Sequence, residues 1–152
     1  MGIRAITANM VGKKVIILPT TTNTANAAIT STPIFGISGY TKGTFVLTVS
    51  GKVMDASTTV NVYVQHSPDG TNWDDLVSFT QITNAAIGDG VYLAWLNPSQ
   101  AASAVDRAVS DGALTANTVR SIHWCEQMRV KVVPVNFAGS DTITLKVEAW
   151  LA

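Results

Sequence analysis

The strongest constraint on this chain is an alternation with a period of two. In its last stretch Ile143, Leu145, Val147, Ala149 and Leu151 alternate with Thr142, Thr144, Lys146, Glu148 and Trp150. A strand points successive side chains to opposite faces, so the pattern is that of a strand with one buried face. Phe45, Leu47 and Val49 repeat it against Thr44, Val46, Thr48 and Ser50, as do Met128, Val130 and Val132 against Gln127, Arg129 and Lys131. Val60, Val62 and Val64 alternate with Asn61, Tyr63 and Gln65. Ser67-Pro68-Asp69-Gly70-Thr71-Asn72 then offers turn residues before a second run, Trp73 to Phe79. Two such runs around a compact turn make a β-hairpin.

Eight or nine short strands are expected, with turns between them and no alternation of strands with helices. That predicts an all-β fold, an antiparallel β-sandwich of jelly-roll or related Greek-key topology, as a single domain over 1–152. Nineteen Thr and 18 Val suit strands, and two Glu against eight Asp suit turns better than helices. Lys14 to Leu18 reads as a short strand stopped by Pro19, inside an extended N-terminal arm over 1–32. Residues 99–118 read as an excursion, a short helix or a long loop, of the kind that often forms a contact surface.

Charge narrows the function classes. Ten Lys/Arg balance ten Asp/Glu, and charged residues are only 13% of the chain, about half the usual fraction of roughly 25%. A neutral chain has no basic field for a nucleic-acid backbone. With 47% hydrophobic residues it lacks the composition of a disordered chain. Its longest nearby apolar run, Val15 to Leu18, is far too short to span a bilayer, and Met1 to Ala5 lacks a signal-peptide core. One cysteine, Cys125, allows no internal disulfide, which suits a reducing cytosol. A neutral, apolar surface promotes association, so part of the apolar surplus is expected to lie against other subunits.

No residue set points to catalysis. In a strand His123 and Cys125 would share a face, which invites a nucleophile reading, but a polar-facing His and a small apolar Cys account for them better. One Cys and two distant His, His66 and His123, do not supply a zinc site. Asp69, Asp74 and Asp75 cluster at the hairpin, but the alternate positions Thr71 and Trp73 break a calcium-loop pattern; they read as turn residues. No phosphate-binding glycine loop and no nucleophile elbow occur. The expectation is a non-enzyme without metal or cofactor.

The aromatic residues are the other candidates, as interface anchors or sugar-stacking platforms. Trp95 and Trp124 are expected in the core. Tyr63 and Trp150 lie opposite the aliphatic side of their strands and are expected to be partly exposed. The candidate interface residues are Ile3, Val15 and Ile17 in the arm, Val105 and Val109 in the excursion, and Tyr63, Trp73 and Trp150.

The run Val62 to Leu76, with Ser67, Asp69, Gly70 and Trp73, resembles a hairpin of small β-sandwich proteins in tailed-bacteriophage virions. The closing strands, Met128–Val132 and Ala149–Ala152, are similar to those of the same proteins. Sialidase Asp-boxes space these residues one position wider. The resemblance implies a virion structural protein made in the host cytoplasm. Within that class it implies a capsid decoration (cement) protein, an oligomer and most simply a homotrimer, whose partner is the major capsid protein. A tail or fibre component, or a carbohydrate-binding β-sandwich module using Tyr63, Trp73 or Trp150, stays open.

Overall fold

The computed structural model describes residues 12–96, 108–120, 122 and 124–152. Among them are eleven strands and no helix: β1 (Lys13–Asn23), β2 (Ile29–Thr30), β3 (Ile34–Phe35), β4 (Gly43–Val53), β5 (Thr59–Ser67), β6 (Asp74–Ser78), β7 (Ile82–Thr83), β8 (Gly90–Leu96), β9 (Thr118–Val119), β10 (Gln127–Val135) and β11 (Thr142–Leu151). They form an antiparallel β-sandwich. One sheet, A, has the order β1-β11-β4-β8; the other, B, runs β2-β10-β5-β6-β9, with β3 on β10 and β7 on β5.

The alternation explains the core. Phe45, Leu47 and Val49 of β4 and Ile143, Leu145, Val147, Ala149 and Leu151 of β11 face inward from sheet A. Val60, Val62 and Val64 of β5 and Met128, Val130 and Val132 of β10 face them from sheet B. Each of these side chains larger than Ala149 contributes about 1.5–3 kcal/mol of apolar burial. Trp124 closes one end, edge-on to Phe45 with ring centroids 6.3 Å apart, as the sequence leads one to expect. At the other end the Asp141 carboxylate accepts the Asp55 and Ala138 N–H groups and the Thr58 hydroxyl, tying the β4–β5 turn to the β10–β11 turn.

The expected hairpin is β5–β6, and its turn is closed by its own side chains. Asp69 Oδ1 accepts the Thr71 and Asn72 N–H groups, Ser67 Oγ accepts that of Gly70, and the Trp73 indole donates to the Gly70 carbonyl. Gly70 has φ 76°, a conformation that favours glycine. The backbone N–H groups of Asn72 and Thr71 hold the Asp69 carboxyl well below the usual carboxylate range.

Two boundaries differ from the sequence expectation. Pro19 does not stop the first strand. β1 runs through it to Asn23, because β1 is an edge strand whose register shifts between Ile16 and Leu18 and again between Leu18 and Thr21, and an edge position tolerates a missing N–H. From Lys13 onward the arm is therefore part of the sandwich. The described part of the excursion, 108–118, contains no helix and lies on its own sheet B.

Candidate interaction surface

Sheet B has its outer face covered. Residues 108–120 pass over it and are pinned by buried carboxylates. The Asp75 carboxylate, fully buried, accepts the N–H groups of Gly112, Ala113 and Leu114, the Ser110 hydroxyl and the Gln65 amide, all at 2.7–3.0 Å. Gly112, at φ 77°, lets the backbone curl so that successive N–H groups converge on it. Asp74 takes the Ser110 N–H at 2.8 Å and the Arg120 guanidinium at 3.0 Å. Above them Arg129 donates to Gln65 Oε1 and stacks 4.1 Å from the Trp73 ring, and Lys131 reaches Asp111 at 2.8 Å. Burial pushes the Asp111 carboxyl up, but the bonds from Lys131 and Gln65 outweigh it and leave it below its ordinary value.

This cover corrects two expectations. Tyr63 is only 6% exposed and Trp73 5%. Both lie on the outward side of sheet B, but the 108–120 segment and the Arg129 side chain close over that side. Burial, then the charge of Asp75, pushes the Tyr63 hydroxyl up. Neither ring offers a surface. Ile17 is also withdrawn, packed in the core with Leu18, and Val15 is half-buried against it. Val109 is exposed, on the cover itself. Ile3 and Val105 lie outside the described residues.

Sheet A has an outer face that no described residue covers. The register lines up rows of side chains: Lys14, Trp150, Thr44 and Trp95; then Ile16, Glu148, Val46 and Leu93; then Lys146, Thr48 and Val91. Trp95 is 66% exposed and Trp150 51%, and Ile16, Val91 and Leu93 are exposed beside them. Trp95 thus departs from its expected core place. Both parities of β8 are apolar, Val91-Leu93-Trp95 and Tyr92-Ala94-Leu96, so alternation carries no sign of which faces in; the structure turns Leu96 and Tyr92 inward. The few charges on this face bind one another, two ammonium groups sharing one carboxylate. Glu148 bonds Lys14 at 2.9 Å and also Lys146, which hold its carboxyl low, Lys146 most, and Lys14 sits 5.4 Å over the Trp150 ring.

Among the described residues, grooves open beside this face. One, of about 510 Å³, runs past Gly12, Lys42 and Thr44 between Trp95 and Trp150. Another, of about 310 Å³, opens between β8 and β9 and is lined by Ile87, Tyr92, Trp95, Asn117 and Val119. Ile87 holds φ 59°, which a β-branched residue rarely adopts; the Tyr92 hydroxyl braces its turn by donating to the Gly88 carbonyl at 2.7 Å.

The nucleophile question has a geometric answer for the described residues. His123 lies outside them. Cys125 is half-buried, and burial, then Asp74, pushes its thiol up, away from the reactive thiolate. The histidine that meets it is the unforeseen His66, whose Nδ1 accepts the Cys125 N–H at 3.0 Å while Nε2 lies 3.5 Å from Asp74. That is a buried tie between β5, β6 and the segment leading into β10. Among the described residues no group of three or more His, Cys, Asp or Glu is placed to hold a metal. No protein-family model matches the chain, and no curated protein matches it either.

Proposed function

We propose that the chain is a non-enzymatic structural subunit of a bacteriophage particle, and within that class a capsid decoration (cement) protein that binds the major capsid protein as a multimer. The observation that carries the reading is the apolar outer face of sheet A, with Trp95, Trp150, Leu93, Val91 and Ile16 exposed together and no described residue over them. A patch of that kind on a chain this poor in charge marks a surface that works against another protein. A subunit that docks only on the assembled shell stabilises it by mass action, by about 2.7 kcal/mol per site at a free concentration one hundred times Kd.

Two further observations support the reading. Counting β1, β2, β4, β5, β6, β8, β10 and β11 as strands one to eight, the sheets run 1-8-3-6 and 2-7-4-5. We read this order as a jelly roll, an architecture used by viral capsid and lectin domains; as a fold-level analogy it supports, but does not carry, the function. The second is the resemblance of the β5–β6 hairpin to virion proteins. A tail or fibre position belongs to the same class. The test is the copy number in purified particles, together with binding of the pure protein to expanded capsids. A number equal to, or a simple symmetric fraction of, the major capsid protein is expected. A handful of copies moves the chain to the tail, and no binding to particles overturns the virion reading.

The carbohydrate-binding reading survives in a changed form. Tyr63 and Trp73 leave it, and the remaining platform is Trp95 and Trp150. Both lie directly across from Thr44 on either side of β4, about 10 Å apart from two strand spacings. Glycan-array binding lost in Trp95→Ala and Trp150→Ala would favour it.

A further inference from the structure

The two edges of sheet A are built differently. β1 carries Lys13, Lys14, Pro19 and two register shifts, the features that blunt an edge against further pairing. β8, Gly90-Val-Tyr-Leu-Ala-Trp-Leu96, has no charge, no proline and no register shift, and is paired along its whole length to β4. Every second residue of an antiparallel edge strand points its N–H and C=O away from the sheet. On β8 those outward groups meet no described residue. An unprotected, apolar edge of this length is a template for one more strand.

We propose that β8 pairs antiparallel with β8 of a second copy of this chain, about a two-fold axis at Leu93. In that register all seven residues are paired. Gly90 faces Leu96, Val91 faces Trp95, Tyr92 faces Ala94, and Leu93 faces itself. The register works whichever parity points its backbone outward, because the axis passes through a residue pair of either hydrogen-bonding type. Side chains fit as well as backbone. Val91 opposite Trp95, twice, is a β-branched–aromatic pair, a favourable cross-strand combination.

The charge argument selects a second copy over an unrelated partner. A two-fold axis sets every group near it against its own duplicate, so a single charge on the strand would repel itself. β8 carries none, and the nearest carboxylate, Asp89, is already committed to the Gly51 and Lys52 N–H groups at 2.9 and 3.0 Å. A foreign partner would impose no such requirement. The product is a continuous eight-stranded sheet, β1-β11-β4-β8 followed by its duplicate. The axis is perpendicular to the sheet, so the Val91-Leu93-Trp95 rows of both copies lie side by side on one outer face, and the grooves lined by Ile87 and Val119 adjoin. This association is two-fold, where the resemblance implies a trimer, and it holds whether or not the chain belongs to a virion.

The test uses the full purified chain and no capsid. Sedimentation equilibrium at micromolar concentrations is expected to give a dimer. Leu93→Lys sets two ammonium groups against each other at the axis and is expected to weaken the dimer at least tenfold. Leu93 is half-exposed, so the variant should keep the wild-type circular dichroism. As an independent check, Leu93→Cys in a Cys125→Ser background is treated with diamide, which takes the two electrons released as two thiols join. Cα atoms directly across a strand pair lie about 4.5–5.5 Å apart, within disulfide reach, so a covalent dimer is expected. Val109→Cys, exposed on the sheet B cover, should give none. A monomer, a trimer, a dimer indifferent to Leu93→Lys, or failure of residue 93 to cross-link would each overturn the pairing, and none of them bears on particle binding.

Discussion

The two outer faces of the sandwich begin from similar strands and end in opposite states. Sheet B presents Tyr63, Gln65 and Asp75 outward, and residues 108–120 close over them through a lattice of charge-assisted bonds to Asp74, Asp75 and Asp111. Sheet A presents Trp95, Leu93, Val91 and Trp150, and no described residue closes over those side chains. The difference lies in where a charge-poor chain uses its few ions. Asp74, Asp75, Asp111, Arg120, Arg129 and Lys131 all serve the cover on one side. The charges on the bare face, Lys14, Lys146 and Glu148, bind one another. Little free charge remains to solvate sheet A, and the result is an apolar face that fits a partner better than it fits water.

The sharpest way to break the comparison is to strip sheet B. Asp75→Ala removes the acceptor shared by Gly112, Ala113, Leu114, Ser110 and Gln65. Leaving these part-buried donors, several at once, without their shared acceptor costs about 3–5 kcal/mol. The unfolding free energy from urea titration is expected to fall by that amount, with hydrogen exchange at residues 110–114 accelerating first. A loss below about 1 kcal/mol would mean that packing, and not this carboxylate, holds the cover.

Acid titrates other carboxylate ties, spread over both sheets and the turns, more gently. Asp69, Asp111, Asp141 and Glu148 are all held below their ordinary values when folded: by the Asn72 and Thr71 N–H groups, by Lys131 and Gln65 against burial, by the Ala138 N–H, and by Lys146 and Lys14. Lowered folded values mean that the unfolded chain binds protons first as pH falls. Their stabilisation is therefore fully present above the unfolded carboxylate range near pH 4 and is lost as pH drops through the lower folded values. Denaturant midpoints between pH 7 and pH 2 should stay level to about pH 5 and then decline, and Asp69→Asn should flatten the decline. A midpoint that rises on acidification would contradict these ties.

The contrast between the faces also marks what the sequence can carry. Wherever one parity is aliphatic and the other polar, as in β4, β5, β10 and β11, the inward side follows from the residues alone. The hairpin follows likewise, since Ser67, Asp69 and Gly70 close the turn with local bonds. Tyr63 and Trp95 mislead for different reasons. Tyr63 looks exposed because its strand is read by itself, while its cover lies about fifty residues downstream and is held by Asp75, whose local appearance is that of a turn residue. Trp95 looks buried because a tryptophan in an all-apolar strand gives no parity signal. The one legible hint was an absence, seven residues of β8 without a charge. Pro19 teaches the same lesson on a smaller scale: proline ends a central strand but not an edge, and edge position is a property of the sheet.

The smallest expected effect tests the bare face most directly. Trp95→Ser with Trp150→Ser removes two of the largest side chains in the molecule, yet both are already at least half in water. The change in unfolding free energy should stay within about 0.5 kcal/mol, as for surface substitutions away from special features. The measurement belongs in the Leu93→Lys background, where association does not contribute. Trp73→Ser, which leaves a hole beneath Arg129, should cost about 3–5 kcal/mol in the same assay. Binding of a hydrophobic dye such as ANS to the native protein should fall with the double substitution, since the rows on β8 and β11 are the apolar surface it would meet. If the pair instead destabilised the monomer by 2 kcal/mol or more, Trp95 and Trp150 would be packed within the chain, and sheet A would be covered like sheet B.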